Sequence, residues 1–121
     1  MSFIRTVFKN LPPSELARTA VRERLEPTLE RFPELQESQI TVTLSMDNAP
    51  QQPGPDQFGV KLRIQRGLYD GVLLEKSSGS LYVALADAGE HLLERLNRFS
   101  DRKRQRSRRA ARRMVTASLK P

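Results

Sequence analysis

The chain has 121 residues, 37% of them apolar, and a formal charge of +7, which suits one domain of about 100 residues with a tail. It contains no cysteine, so disulfides and cysteine-ligated metals are excluded. The opening Met1-Ser2-Phe3-Ile4-Arg5 lacks the apolar core of a secretory signal, and no run approaches the roughly 20 apolar residues of a membrane span, so a soluble, cytoplasmic protein is expected.

Taken in order, Phe3 to Phe8 is β-branched and aromatic on both sides and predicts a short strand partly covered on both faces. Leu11-Pro12-Pro13-Ser14 reads as a turn, with Ser14 the N-cap of a helix and Glu15 well placed in its first turn. Ala17, Val21, Leu25, Thr28 and Phe32 trace one face of that helix. Pro27 sits inside the pattern and cannot donate to the carbonyl of Glu23. A kinked helix, or two short helices in sequence, is therefore predicted, ending before Pro33.

Gln39 to Met46 alternates Ile40, Val42, Leu44 and Met46 with polar residues, a half-buried strand. Asp47 to Gln57 is rich in proline and reads as a long, mobile loop. Phe58, Val60, Leu62 and Ile64 mark a second alternating strand, and Arg66 to Gly71 supplies the chemistry of a reversal. Val72-Leu73-Leu74 begins a third strand of this group that fades through Glu75 and Lys76. Ser77-Ser78-Gly79-Ser80 then breaks it and offers an N-cap to the last helix.

From Leu81 onward Leu85, Ala88, Leu92, Leu96 and Phe99 form one apolar helical face. His91, Arg95, Arg98, Arg102, Arg106, Arg109 and Arg113 form a second stripe beside it, which continues past the point where the apolar face stops. A helix over residues 81–113 would be about 50 Å long. The ordered part is expected to end a few turns past Phe99, the remaining arginines settling only on a partner.

The order β-α-β-β-β-α is physically solved as an α+β fold, a four-stranded sheet with two helices on one face and a basic C-terminal tail. The domain is expected to span residues 1–104 and the flexible tail 105–121. The sheet's other face would carry Thr41, Thr43, Lys61, Arg63 and Gln65, polar and solvated.

Charge is unevenly placed. Residues 100–121 hold nine bases and one acid, a surplus of eight, whereas residues 1–99 hold 12 bases against 13 acids. Arg102, Lys103, Arg104, Arg106, Arg108, Arg109, Arg112 and Arg113 are eight bases within twelve residues. With Arg95 and Arg98 they are the candidate nucleic-acid-binding residues. Arginine favours bidentate phosphate contacts and stacking over point-charge attraction, and the sheet lacks the exposed aromatics that stack bases. Recognition is expected to follow backbone and shape; charge alone does not distinguish RNA from DNA. An interfacial membrane helix is disfavoured because only Met114, Val115 and Leu119 lie near the block.

Catalysis finds no motif: there is no Gly-x-Ser-x-Gly, Walker-type or Gly-x-Gly-x-x-Gly pattern. His91 has no carboxylate orienter evident in the sequence. Asp87, Glu90, Glu94 and Asp101 read as a solvated face, with Glu94 and Arg98 paired at i,i+4. One histidine and no cysteine leave only carboxylates for a metal, and no calcium loop is present. No catalytic residue, metal, cofactor or small-molecule substrate is expected.

Ser14-Glu15-Leu16-Ala17 leading into the first helix, and Ser80-Leu81-Tyr82-Val83-Ala84-Leu85-Ala86-Asp87 opening the second, add a further signal. With the element order, they resemble the bacterial hibernation promoting factor and ribosome-associated inhibitor family, also called sigma-54 modulation or ribosomal subunit interface proteins. The resemblance covers roughly Ile4 to Arg104 and is to the short form of the family. It implies a fold like that of double-stranded RNA-binding domains. It further implies binding to the small ribosomal subunit and the 70S ribosome through rRNA, in the channel where mRNA and tRNA sit. Translation would be blocked by occlusion in stress, without chemistry. The family's basic helical surface maps onto Arg95, Arg98, Arg102, Lys103 and Arg104. Pro27, the proline-rich loop at 47–57 and the basic tail depart from the family pattern. The alternatives are a general structured-RNA-binding or accessory ribosomal protein without inhibitory activity, and a protein-interaction module with an acidic partner.

Overall fold

In the computed structural model the described residues are 3–47 and 57–118, with side chains within 4–46 and 57–99. Strand β1 (Phe3–Lys9) leads to helix α1 (Glu15–Arg31) and a short 3-10 helix (Pro33–Glu37). Strands β2 (Gln39–Asp47), β3 (Gln57–Gln65) and β4 (Leu73–Ser78) follow, and helix α2 (Leu81–Ser118) closes the chain. The sheet order is β1-β2-β3-β4. β1 runs parallel to β2, and the other two pairings are antiparallel. Element order and α+β class are as the sequence predicted. The expected loop at residues 47–57 falls mainly on 48–56, outside the described residues.

The core is one cluster. Ile40, Val42 and Leu44 of β2, with Val60, Leu62 and Ile64 of β3, are all at most 1% exposed. They pack with Ala17, Val21 and Leu25 of α1 and with Ala84, Leu85, Ala88, Leu92 and Leu96 of α2. Period-two alternation puts one row of each strand on this face. Both helices therefore cover the same side of the sheet, and the other side is left polar.

Local chemistry explains most boundaries. Ser14 accepts the Ala17 N–H at 3.3 Å through its hydroxyl, capping α1. Pro27 does not divide α1, which is one helix of 17 residues. Pro27 and Glu23 are both exposed, so the carbonyl left without its N–H partner lies on the solvent side, where water can satisfy it.

Three expectations change. β4 continues to Ser78, because Ser77 and Ser78 keep their ladder partners Gly59 and Phe58 on β3. The α2 N-terminus has no serine side-chain cap among the described residues; Ser80 accepts the Ala84 N–H through its carbonyl, and Ser78 Oγ accepts the Ser80 N–H at 3.3 Å. Finally, α2 does not stop a few turns past Phe99 but runs 38 residues to Ser118, about 57 Å. No glycine or proline occurs between residues 90 and 118, and arginine and alanine are strong helix formers. Like-charge repulsion at i,i+4 costs only a few tenths of a kcal/mol per pair, so propensity prevails.

Candidate nucleic-acid interface

Buried Leu85, Leu92 and Leu96 fix the rotation of α2 against the sheet. One flank of the helix then faces α1. A Cβ built on Gly89 would stand 3.6 Å from the Arg24 carbonyl, and Tyr82 and Leu85 line a groove with Leu16, Ala20 and Arg24. The other flank faces β4 and the β3–β4 turn. His91, Arg95 and Arg98 line a cleft of about 470 Å³ there, with Asp70, Gly71, Val72, Glu94 and Phe99. The basic stripe starts on this second flank.

The turn that walls the cleft is firmly held. Arg66, Gly67 and Gly71 have φ of 67°, 79° and 94°, a left-handed region that favours glycine at two of the three. The Arg66 N–H donates to Asp70 Oδ1 at 2.9 Å, and the hydroxyl of buried Ser38 donates to the Arg66 carbonyl at 2.7 Å. A Cβ on Gly67 would lie 2.7 Å from Ser38 Oγ, so a side chain there would displace this bond. Tyr69 is 1% exposed. Its ring meets Phe32 edge-on at 5.9 Å and Phe99 at 5.2 Å, a favourable aromatic geometry. Phe99, itself 40% exposed, is thereby tied to the turn at the point where the apolar face of α2 ends.

The candidate residues divide into three groups. The Arg95 guanidinium donates to the Leu73 carbonyl of β4, so part of its hydrogen-bonding capacity is committed to the fold. Arg98 is exposed and makes no ion pair among the described residues. The expected Glu94–Arg98 pair does not form; both side chains are exposed, where water competes effectively. Arg102, Lys103, Arg104, Arg106, Arg108, Arg109, Arg112 and Arg113 all lie on the continuous helical backbone of α2. Arg102, Arg106, Arg109 and Arg113 therefore keep the helical spacing that produced the stripe in the sequence.

Sequence reasoning placed Glu94 beside Arg98 but missed Asp70. Asp70 and Glu94 share the cleft with Arg95 and Arg98 and temper the positive potential at the root of the stripe. Nothing local signals this, because Asp70 comes from a turn some twenty residues earlier. His91 is half-buried, and its Nδ1 is buried without a hydrogen-bond partner. Among the described residues no carboxylate is hydrogen-bonded to the imidazole Nδ1, the contact that would orient it as a general base. Among the described residues, no helix is long and apolar enough to cross a membrane.

With this geometry in place, the chain can be set beside known proteins. Residues 4–104 match the family described as "Sigma 54 modulation protein / S30EA ribosomal protein". Among solved structures, the fold is similar to the N-terminal domain of Thermus thermophilus Protein Y, with a TM-score of 0.59 and 19% identity, covering 82% of this chain and 99% of that one. It is also similar to a ribosomal subunit interface protein from Coxiella burnetii, with a TM-score of 0.60 and 14% identity, covering 82% and 98% of the two chains. A search of curated sequences gave no significant match.

Proposed function

The chain belongs to the sigma-54 modulation / S30EA ribosomal protein family, and from that membership we propose that it is a non-enzymatic, cytoplasmic ribosome-binding factor. In this reading it docks on the small ribosomal subunit through rRNA phosphates and blocks the mRNA/tRNA channel by occupying it. The observation that carries the RNA-binding part is the continuity of α2. The helix anchored by Leu85, Leu92 and Leu96 is the same helix that bears the arginine block to Ser118. The block is thus joined to an already nucleated helix, which lowers the ordering cost of presenting its bases. Arg98 and the residues that follow it supply charge for phosphate contacts, and each contact releases condensed counterions. Occlusion needs no reacting group, only a rigid body placed where a ligand of the ribosome would sit.

Co-sedimentation with small subunits and 70S ribosomes across a salt series tests the reading, using the wild-type chain and a variant with Arg102, Arg106, Arg109 and Arg113 changed to Gln. If about six phosphate contacts form, wild-type affinity falls around three decades between 50 and 200 mM salt on a duplex-like site, and the variant shows a shallower slope. Absence of ribosome association at low salt would sink the proposal. Normal in vitro translation at saturating occupancy would remove the inhibitory role and leave an accessory RNA-binding protein.

A further inference from the structure

The strand register lays out the outer sheet face in rows. Lys9 pairs with Ser45, Ser45 with Gly59 and Gly59 with Ser77, so one row crosses all four strands. The next row is Val7, Thr43, Lys61 and Glu75, and the one beyond it Arg5, Thr41, Arg63 and Leu73. In the first row every residue after Lys9 is small, and Gly59 leaves its centre open. A Cβ at Gly59 would stand 2.7 Å from Ser45 Oγ, so a side chain there would displace the Ser45 hydroxyl. The result is a hollow of about 700 Å³, floored by hydroxyls and glycine and flanked by Lys9, Lys61 and Lys76 with Glu75 among them.

The charge of this face is one-sided. Its three rows carry Arg5, Lys9, Lys61 and Arg63 against one acid, Glu75, whose carboxylate meets Lys61 Nζ at 3.7 Å. Lys9 is exposed and makes no ion pair among the described residues. The exposed side of the helix layer over the described side chains is close to balanced, with Glu15, Glu23, Glu26, Glu30, Asp87, Glu90 and Glu94 beside Arg18, Arg22, Arg24, Arg31, Arg95 and Arg98.

We propose that this hollow holds a phosphodiester of an RNA strand, giving the domain a second RNA contact on the face opposite its helices. Thr43 and Ser77 bring hydroxyl donors suited to phosphate oxygens, the Ser45 hydroxyl donates to the Gly59 carbonyl over a long 3.5 Å that a phosphate oxygen could replace, and Lys9 and Lys61 bring the charge. The two lysines stand on strands two apart, about 10 Å across the sheet, far enough to bracket a backbone. A protein partner would want aromatic or aliphatic anchors at the centre, and Gly59 with three hydroxyls offers none. The inference rests on the RNA-binding reading above and adds a second grip: the domain is held between two RNA segments.

The test is a titration of the full, nitrogen-15-labelled chain with an eight-nucleotide uridine RNA, followed by amide shifts, with inorganic phosphate and a polyglutamate peptide as separate arms. Shifts at Ser45, Gly59 and Ser77 with RNA are expected. Lys9→Ala should reduce the slope of log affinity against log salt by about 0.7, one single-strand phosphate contact. Glu75→Gln should tighten binding about two- to fivefold by freeing Lys61. RNA shifts confined to α2 overturn the proposal while leaving ribosome binding intact. Equal sheet shifts from phosphate at the same concentration reduce the hollow to a free-anion site, and equal shifts from polyglutamate assign it to an acidic protein; either overturns the RNA assignment. Ribosome co-sedimentation is scored separately. Sheet shifts with RNA but no sedimentation keep the hollow and remove the proposed function.

Discussion

The two halves of α2 carry the same basic stripe on different supports. Residues 81–99 hold their helix through tertiary packing: Ala84, Leu85, Ala88, Leu92 and Leu96 are at most 3% exposed, and Phe99 is pinned by Tyr69. Residues 100–118 have the same backbone conformation but lack the leucine periodicity of the first half; intrinsic propensity and attachment to the first half are what the sequence offers them. In the first half, bases are drawn into the fold, as with Arg95 on the Leu73 carbonyl. A charged stripe gains rigidity where it borders a core, and loses some of its free donors there.

Substitutions in each half can break or sharpen that contrast. The largest effect is expected from Leu92→Ala, which removes a fully buried side chain and should lower unfolding free energy by about 2–5 kcal/mol in chemical denaturation. Gln105→Pro strikes the second half. It should cost the helix there about 3 kcal/mol, seen as lost helical circular dichroism with an unchanged denaturation midpoint. A lowered midpoint would show that the second half supports the domain. Arg95→Ala should reduce stability by about 0.5–1.5 kcal/mol through loss of the bond to β4, yet weaken ribosome binding less than Arg98→Ala does. The reverse order would make Arg95 a contact residue. The smallest effect, and the only gain in stability, is Gly89→Ala. Its Cβ meets only ordinary contact distance at the Arg24 carbonyl, so the higher helix propensity should raise stability by about 0.5–1 kcal/mol.

Much of the fold is legible in single residues. Ser14 predicts the start of α1, and the alternation in β2 and β3 predicts which residues are buried. The spacing of Leu85, Leu92 and Leu96 predicts the buried face of α2. What was not legible depends on partners distant in sequence. Tyr69 lies in a stretch that reads as a turn, yet it joins the core cluster with Phe32 and Phe99 against its ring. Leu35, also fully buried, sits in a 3-10 helix that carries no periodic signal. The site follows the same division: the stripe and Glu94 beside Arg98 were visible, whereas Asp70 was not.

The sequence by itself determined the element order, the inward faces and the concentration of positive charge after residue 100, because each is set by local periodicity or composition. Tertiary structure alone decided which flank of α2 bears the stripe, which arginine is tied to the sheet, and that Lys9, Ser45, Gly59 and Ser77 form one row. Those depend on strand register and helix rotation, which are fixed when the separate apolar faces are buried together.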